Sequence, residues 1–216
     1  MRIMHEGFKE IKKKHIFIFL VMAASMVLYQ VTNRPIGVVH ILALPFEDNI
    51  PLIKEFIVLY HATYPFMVIN VILFLLLNQV LFLESAISIT LGNVFSFFTY
   101  LIYQTEVPRP EIFGYDLFSE MLRITYRLDR PFNGFPSQHV LTTTIILIAI
   151  LRSKYNKRYQ LFSIVLCAMI LLSTVFVKQH TLLDVFGGVV YGSASYIIVA
   201  YVINIIRKKG RFRREK

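Results

Sequence analysis

The chain contains no tryptophan, a single cysteine and few acids. One thiol, Cys167, cannot make an internal disulfide framework, so cysteine usage does not report the compartment. Charged residues are 17% of the 216, against about 25% in a soluble domain. Hydrophobic residues reach 56%, above the roughly 45–50% usual for such domains. That much apolar surface cannot be hidden in one small globule, which excludes a water-soluble single domain. The same numbers exclude intrinsic disorder. There is no internal repeat and no room for a second sizeable soluble domain, so residues 1–216 are expected to form one membrane-embedded unit.

A spanning helix needs roughly 20 mostly apolar residues. Six segments are candidates: Ile16–Val31, Phe56–Leu77, Val80–Tyr103, Val140–Leu151, Leu161–Val177 and Val185–Ile206. The expected fold is all-α, a polytopic bundle of six transmembrane helices. The fourth segment is short and weak on its own. The first follows a basic run and contains Ala23, Ala24 and Ser25, a pattern that also suits a cleaved signal peptide. A retained first helix is the reading that makes the later charges consistent.

The net charge is +10, and its distribution argues for topology rather than nucleic acid. With the N-terminus inside, Arg2, Lys9, Lys12, Lys13 and Lys14 are cytoplasmic. So are Arg152, Lys154, Lys157 and Arg158, and the tail Arg207, Lys208, Lys209, Arg211, Arg213, Arg214 and Lys216. Only Arg34, Lys54, Arg109, Arg123, Arg127, Arg130 and Lys178 fall outside. Retention of Lys and Arg on the cytoplasmic side therefore sets both termini inside. It also requires the weak fourth span, and the basic tail touches anionic lipid. Pro35–Phe46, broken by Pro35, Gly37 and Pro45, is too short to cross and is read as lying in the outer interface.

Polar residues gather on the outer side. A long loop, Gln104–Pro136, contains Pro108-Arg109-Pro110 and leads into Ser137-Gln138-His139. A short segment reads Ser173 to Asp184 through Lys178 and His180. A charged residue at a helix centre costs about 2.5–3.5 kcal/mol on insertion scales, and less near the interface. The plain readings are a snorkelling Lys178 and an Asp184 that caps the last helix. If that helix begins near Thr181, His180 and Asp184 lie one turn apart. A carboxylate there fixes one ring nitrogen and aims the other at a substrate. His139 falls at a helix N-terminus, where free N–H groups and the Ser137 hydroxyl suit an anion. Arg109 is a fork donor on a stiff backbone, and Lys178 a point charge. Two histidines, an aspartate and two cations on one side suit phosphoryl transfer.

These blocks resemble the signature of the type 2 phosphatidic acid phosphatase superfamily. That pattern has a Lys–six residues–Arg-Pro block, a Pro-Ser-Gly-His block and a Ser-Arg–five residues–His–three residues–Asp block. Arg109-Pro110 matches the end of the first. Pro136-Ser137-Gln138-His139 matches the second, with Gln138 in place of Gly. Ser173, His180 and Asp184 match the third at its spacing. The catalytic blocks lie within 104–188. The family's first Lys falls at Ile102 and its third-block Arg at Thr174, so both of those cations are missing. Lys178, two residues before His180, is similar to the arrangement in the branch containing inositol phosphorylceramide synthases. Tyr126 and Asp129 resemble a Tyr–two residues–Asp segment of the same branch.

The resemblance implies a metal-independent membrane hydrolase with no cofactor. It would cleave a lipid phosphomonoester or pyrophosphate at the outer face of a bacterial cell membrane, through a phosphohistidine. His180 would be the nucleophile, Asp184 its orienter and His139 the acid and then base. Arg109, Lys178, Ser137 and the Gln138 backbone would bind phosphate. The alternative within the fold is a phosphotransferase that moves a phospho-headgroup to a lipid alcohol. From the residues alone, a metal site on His139, His180 and Asp184 and a small permease using Glu84, His61, Asn70 and Asn93 also stand. Plain readings serve the remainder. Asp129 pairs with Arg127 or Arg130, Asn133 is a turn residue, His61 hydrogen-bonds within the bundle, and His40 is interfacial. His5 and His15 flank the first span.

Overall fold

The computed structural model describes residues 11–212. Arg2, His5, Lys9, Arg213, Arg214 and Lys216, and the side chain of Arg211, lie outside the described residues. The described chain is mostly helical: α1 (Lys13–Thr32), α2 (Ile57–His61), α3 (Thr63–Leu77), α4 (Gln79–Ile102), α5 (Leu117–Leu128), α6 (Gln138–Arg152), α7 (Lys157–Phe176) and α8 (Leu182–Phe212). A short 3₁₀ turn at Lys54–Phe56 runs on through α2 and α3 as one stretch ending at Leu77. Among the described residues, five stretches are long and apolar enough to cross a membrane: α1, Lys54–Leu77, α4, α7 and Leu182–Lys209 within α8.

The fourth of the six apolar segments, α6, has 15 residues and is about 22 Å long, short of a hydrocarbon core of about 30 Å. Its weak hydropathy has a physical reason. Leu141, Ile145, Ile146 and Ile150 are fully buried, and Thr142 and Thr143 are buried beside them. The helix packs between α4, α7 and α8. A helix shielded by protein needs no lipid-facing surface. The outward faces of the longer helices are the opposite: Phe17, Leu20, Ile69, Phe98, Leu161, Ile197 and Tyr201 are exposed.

Several polar side chains inside the bundle are paired across helices. Glu84 accepts from Tyr196 Oη at 2.8 Å and from Arg152 at 3.2 Å, which joins α4, α6 and α8 at one end. Tyr159 donates to Asn70 at 2.7 Å at the same end, and Asn93 donates to Ser25 at 2.9 Å. At the other end the segment after α1 does not lie free. Its strand β1 (Val39–Ile41) pairs in parallel with β2 (Gln104–Glu106), with Val39 opposite Gln104. These two short strands are an addition to the all-α expectation. The Gln104 amide donates to the carbonyls of Thr32 and Arg34, satisfying acceptors where α1 ends.

The 104–136 segment, expected as a polar loop, contains the amphipathic helix α5. Asp116 caps it by accepting from the N–H groups of Phe118 and Ser119. Lys54 donates to the same carboxyl and holds it well below the usual carboxylate range. Leu122, Ser119 and Thr125 face inward, while Leu117, Ile124 and Leu128 stay exposed.

Glycines let α6 and α8 approach closely. A Cβ on Gly188 would lie 2.7 Å from the Ser137 carbonyl oxygen, and one on Gly192 would lie 2.7 Å from that of Leu141. Small residues four apart let helix backbones approach in a membrane. Gly188→Ala is therefore expected to cost about 1–3 kcal/mol, because the clash is with backbone. Gly92→Ala meets only the methyl groups of Leu141 and should cost less. Thermal unfolding of the two variants in detergent checks the order.

Candidate active site

The start of α6 is built by Ser137. Its hydroxyl accepts from Val140 N at 3.3 Å, and its own N–H donates to the Asp184 carbonyl at 3.1 Å. Tyr100 Oη donates to the Pro136 carbonyl at 2.7 Å. The Ser137 oxygen is thus engaged as a helix cap, and the residue is fully buried. His139 follows on the first turn, also buried. Its Nδ1 lies 3.5 Å from Tyr60 Oη, and its Nε2 has no partner.

The connection from α7 to α8 places the second histidine. Lys178 takes a left-handed φ of 53°, and the N–H groups of Gln179 and His180 both donate to Thr174 O at 3.0 Å. Thr181 and Asp184 then form a reciprocal cap. Thr181 N donates to Asp184 Oδ2 at 2.8 Å, and Asp184 N donates to Thr181 Oγ1 at 3.3 Å. The same Oδ2 lies 3.7 Å from His180 Nδ1. The two histidine rings are 5.9 Å apart. A Cβ on Gly134 would come within 2.9 Å of Asp184 Oδ2, so the loop before α6 closes directly over the carboxylate.

The cations sit differently from one another. Arg109 donates through Nη1 to the carbonyls of Tyr126 (3.2 Å) and Asp129 (2.7 Å), and through Nη2 to Gln179 Oε1. Its guanidinium lies 4.5 Å over the Tyr126 ring. Burial pushes the Tyr126 phenol up to about 12, and it donates to Val177 O at 2.8 Å. Arg109 is thereby joined to the His180 turn. Lys178 is partly buried. Its Nζ donates to the Glu47 carbonyl at 3.2 Å. The Glu47 carboxylate accepts from Leu182 N, the first residue of α8, at 2.9 Å.

Asp129 is corrected. Its carboxylate pairs with neither Arg127 nor Arg130. It accepts from Tyr29 and Asn33 at 2.8 Å each and from Tyr60 at 3.2 Å. The end of α5 packs against the ends of α1 and α2, where three donors are already held in place. Asn133, with φ 62°, is a fully buried loop residue rather than simply a turn residue, and its amide donates to Tyr29 O and Thr32 Oγ1. His61 meets Thr125 Oγ1 at 2.9 Å, and His40 stacks on Tyr103 at 4.2 Å. His15 Nδ1 accepts from Lys12 N at 3.2 Å.

Glu47, Gln179, Tyr60 and Gly134 were not among the residues the sequence singled out. Gln179 had a signal, since it sits between two residues that were. The other three act through contacts more than 45 positions away in the chain, and no local pattern marks them.

Arg109 Nε, Gln138 Nε2, His139 Nε2, Gln179 Nε2, His180 Nδ1 and Asp184 Oδ1 are all buried without a partner. Buried polar groups are normally paired, so this cluster fits a polar ligand. Beside it lies a cavity of about 250 Å³, lined by Tyr60, His61, Tyr64, Met121, Ile124, Thr125, Leu128, Asp129 and His139. Among the described residues, no three His, Cys, Asp or Glu side chains come together as a metal-binding group.

A histidine pair with an adjacent carboxylate, an arginine and unpaired amides gathers at one end of the helical bundle. The chain matches the PAP2 superfamily over residues 81–208, and it belongs to that superfamily. The family's activities are those of phosphatases and phosphotransferases on phosphate-containing substrates. Comparison with curated proteins returned no match, and comparison with solved structures returned none either.

The cap on α8 gives a stability test. Thr181→Ala removes the hydroxyl that accepts from Asp184 N and is expected to cost about 1 kcal/mol, read as a lowered melting temperature.

Proposed function

We propose that the protein is a lipid phosphate phosphohydrolase working through a phosphohistidine, without metal or cofactor. The observation that carries this reading is the 5.9 Å approach of the His139 and His180 rings with Asp184 3.7 Å from His180. Asp184 Oδ2 faces His180 Nδ1, which leaves Nε2 as the attacking nitrogen. Its lone pair forms the N–P bond as the P–O bond to the lipid alcohol breaks. His139 Nε2 gives a proton to the departing alkoxide. His139 then takes a proton from water, whose oxygen attacks phosphorus and releases phosphate from His180.

Arg109 and the Gln138 amide bind the phosphoryl oxygens, and Lys178 adds positive charge at the turn. Ser137 contributes by fixing the start of α6, since its oxygen caps that helix. The apolar cavity wall of Met121, Ile124 and Leu128 next to His139 supports a lipid as the leaving alcohol. The polar residues a permease would need are paired across helices, which supports an enzyme over a conduit.

In this reading α6 is the fourth of six spans, both termini are cytoplasmic, and the site faces the extracytoplasmic side of a bacterial cell membrane. The positions of the basic clusters support that orientation.

One observation favours transfer to a lipid alcohol as a second reading. The cavity that would hold the leaving alcohol can also hold an acceptor. Lys178, Tyr126 and Asp129 support the inositol phosphorylceramide synthase-like branch for that case.

His180→Ala and His139→Ala should each lower phosphate release at least 10²-fold while the protein still inserts. Activity should persist in chelator and fall with vanadate. Purified protein assayed on a panel of lipid phosphates, with thin-layer separation, checks this. Wild-type activity in either variant overturns the mechanism, and label appearing on a second lipid selects transfer.

A further inference from the structure

We infer that Tyr60 and Asp129 form a positioning relay that turns His139 so that its Nε2 faces the reacting phosphoryl group. The inference deepens the proposed reaction and rests on His139 acting there as acid and base. A carboxylate only accepts, and Tyr60 Oη donates to Asp129 Oδ2 at 3.2 Å. A phenol has one proton. With that proton directed at Asp129, Tyr60 Oη can only accept from His139 Nδ1, 3.5 Å away. The neutral imidazole therefore carries its proton on Nδ1. Nε2, buried and without a partner, holds the free lone pair.

Packing fixes the ring plane as well. The Tyr60 ring lies 4.3 Å from the His139 ring, and Tyr64 meets it edge-on at 5.2 Å. Asp129 is itself held by two further donors, Tyr29 and Asn33. Its backbone carbonyl receives Arg109. One residue thus anchors both the acid–base histidine and the phosphate-binding arginine.

The relay also supplies charge. When His139 takes a second proton, the Asp129 carboxylate balances the imidazolium across Tyr60. The other titratable groups around His139 do not. His61 and Tyr64 come from the α2–α3 side and His180 from the α8 turn, with Asp184 lying against His180. Losing the Tyr60 hydroxyl makes the imidazolium harder to keep as pH rises. The alkaline limb of kcat/KM, which reports the free enzyme's acid, then moves to lower pH.

The test compares Tyr60→Phe with Tyr29→Phe in the purified full chain, using phosphatidic acid in detergent micelles across a pH series. Tyr29→Phe removes a hydrogen bond from the same carboxylate without touching His139. Tyr60→Phe should lower kcat about tenfold with little change in KM and shift the alkaline limb acid-ward, while Tyr29→Phe leaves the limb in place. An unmoved limb in Tyr60→Phe, or an equal shift in Tyr29→Phe, overturns the relay. Selective ¹⁵N-histidine labelling gives a readout on the wild-type chain, with His139→Ala assigning the resonance. A protonated Nδ1 with a bare Nε2 supports the relay, and the opposite tautomer overturns it. His139→Ala also separates the two ideas. If it is inactive while Tyr60→Phe keeps the wild-type limb, the relay alone fails. If it stays active, the proposed reaction fails and the relay falls with it.

Discussion

The close approach of α6 and α8 is the constraint on which the site depends. His139 and His180 belong to segments forty positions apart, and neither helix alone could bring the rings together. The contact is possible because Gly188 and Gly192 present no side chain to the α6 backbone. Dispersion and backbone proximity, rather than water exclusion, drive such packing in a membrane. The hydrogen bond from Ser137 N to the Asp184 carbonyl then locks the start of one helix against the start of the other. Site geometry and helix packing are one arrangement here, since the residues that cap the helices neighbour those that would do the chemistry.

The distribution of polar groups follows from the same economy. Inside an apolar bundle every donor and acceptor needs a partner. At one end Glu84 is served by Tyr196 and Arg152. At the other end the need is left partly unmet, and the unpaired atoms of Arg109, Gln138, Gln179 and the two histidines gather. The cations missing at Ile102 and Thr174 are not replaced by new charges at those places. Arg109 is instead tied to the His180 turn through Gln179, a neutral amide that both accepts from the guanidinium and keeps a donor spare.

Much of this was legible in the chain. The six apolar segments are helical, and the spacing of His180 and Asp184 did place them one turn apart. Hydropathy could not show why α6 is short, because its surroundings are protein rather than lipid. Helix α5 was hidden in what read as a polar loop, since an amphipathic helix with Arg123, Arg127 and Glu120 has low overall hydropathy. Asp129 was misjudged because sequence neighbours suggested Arg127 or Arg130, whereas its partners come from α1 and α2. Tyr60 and Glu47 carry no local mark at all. Their importance lies in contacts across the bundle, which no window of sequence contains.

Cys167 is the chain's sole thiol and is almost wholly enclosed by the core around Phe74 and Ile170. Sealed in this way, it does not compete for water-soluble alkylating reagents. A cysteine engineered into the mostly exposed segments 108–115 or 153–156 would then be the one group such a reagent could reach. The native chain is in this sense already prepared for labelling, with no background to remove first.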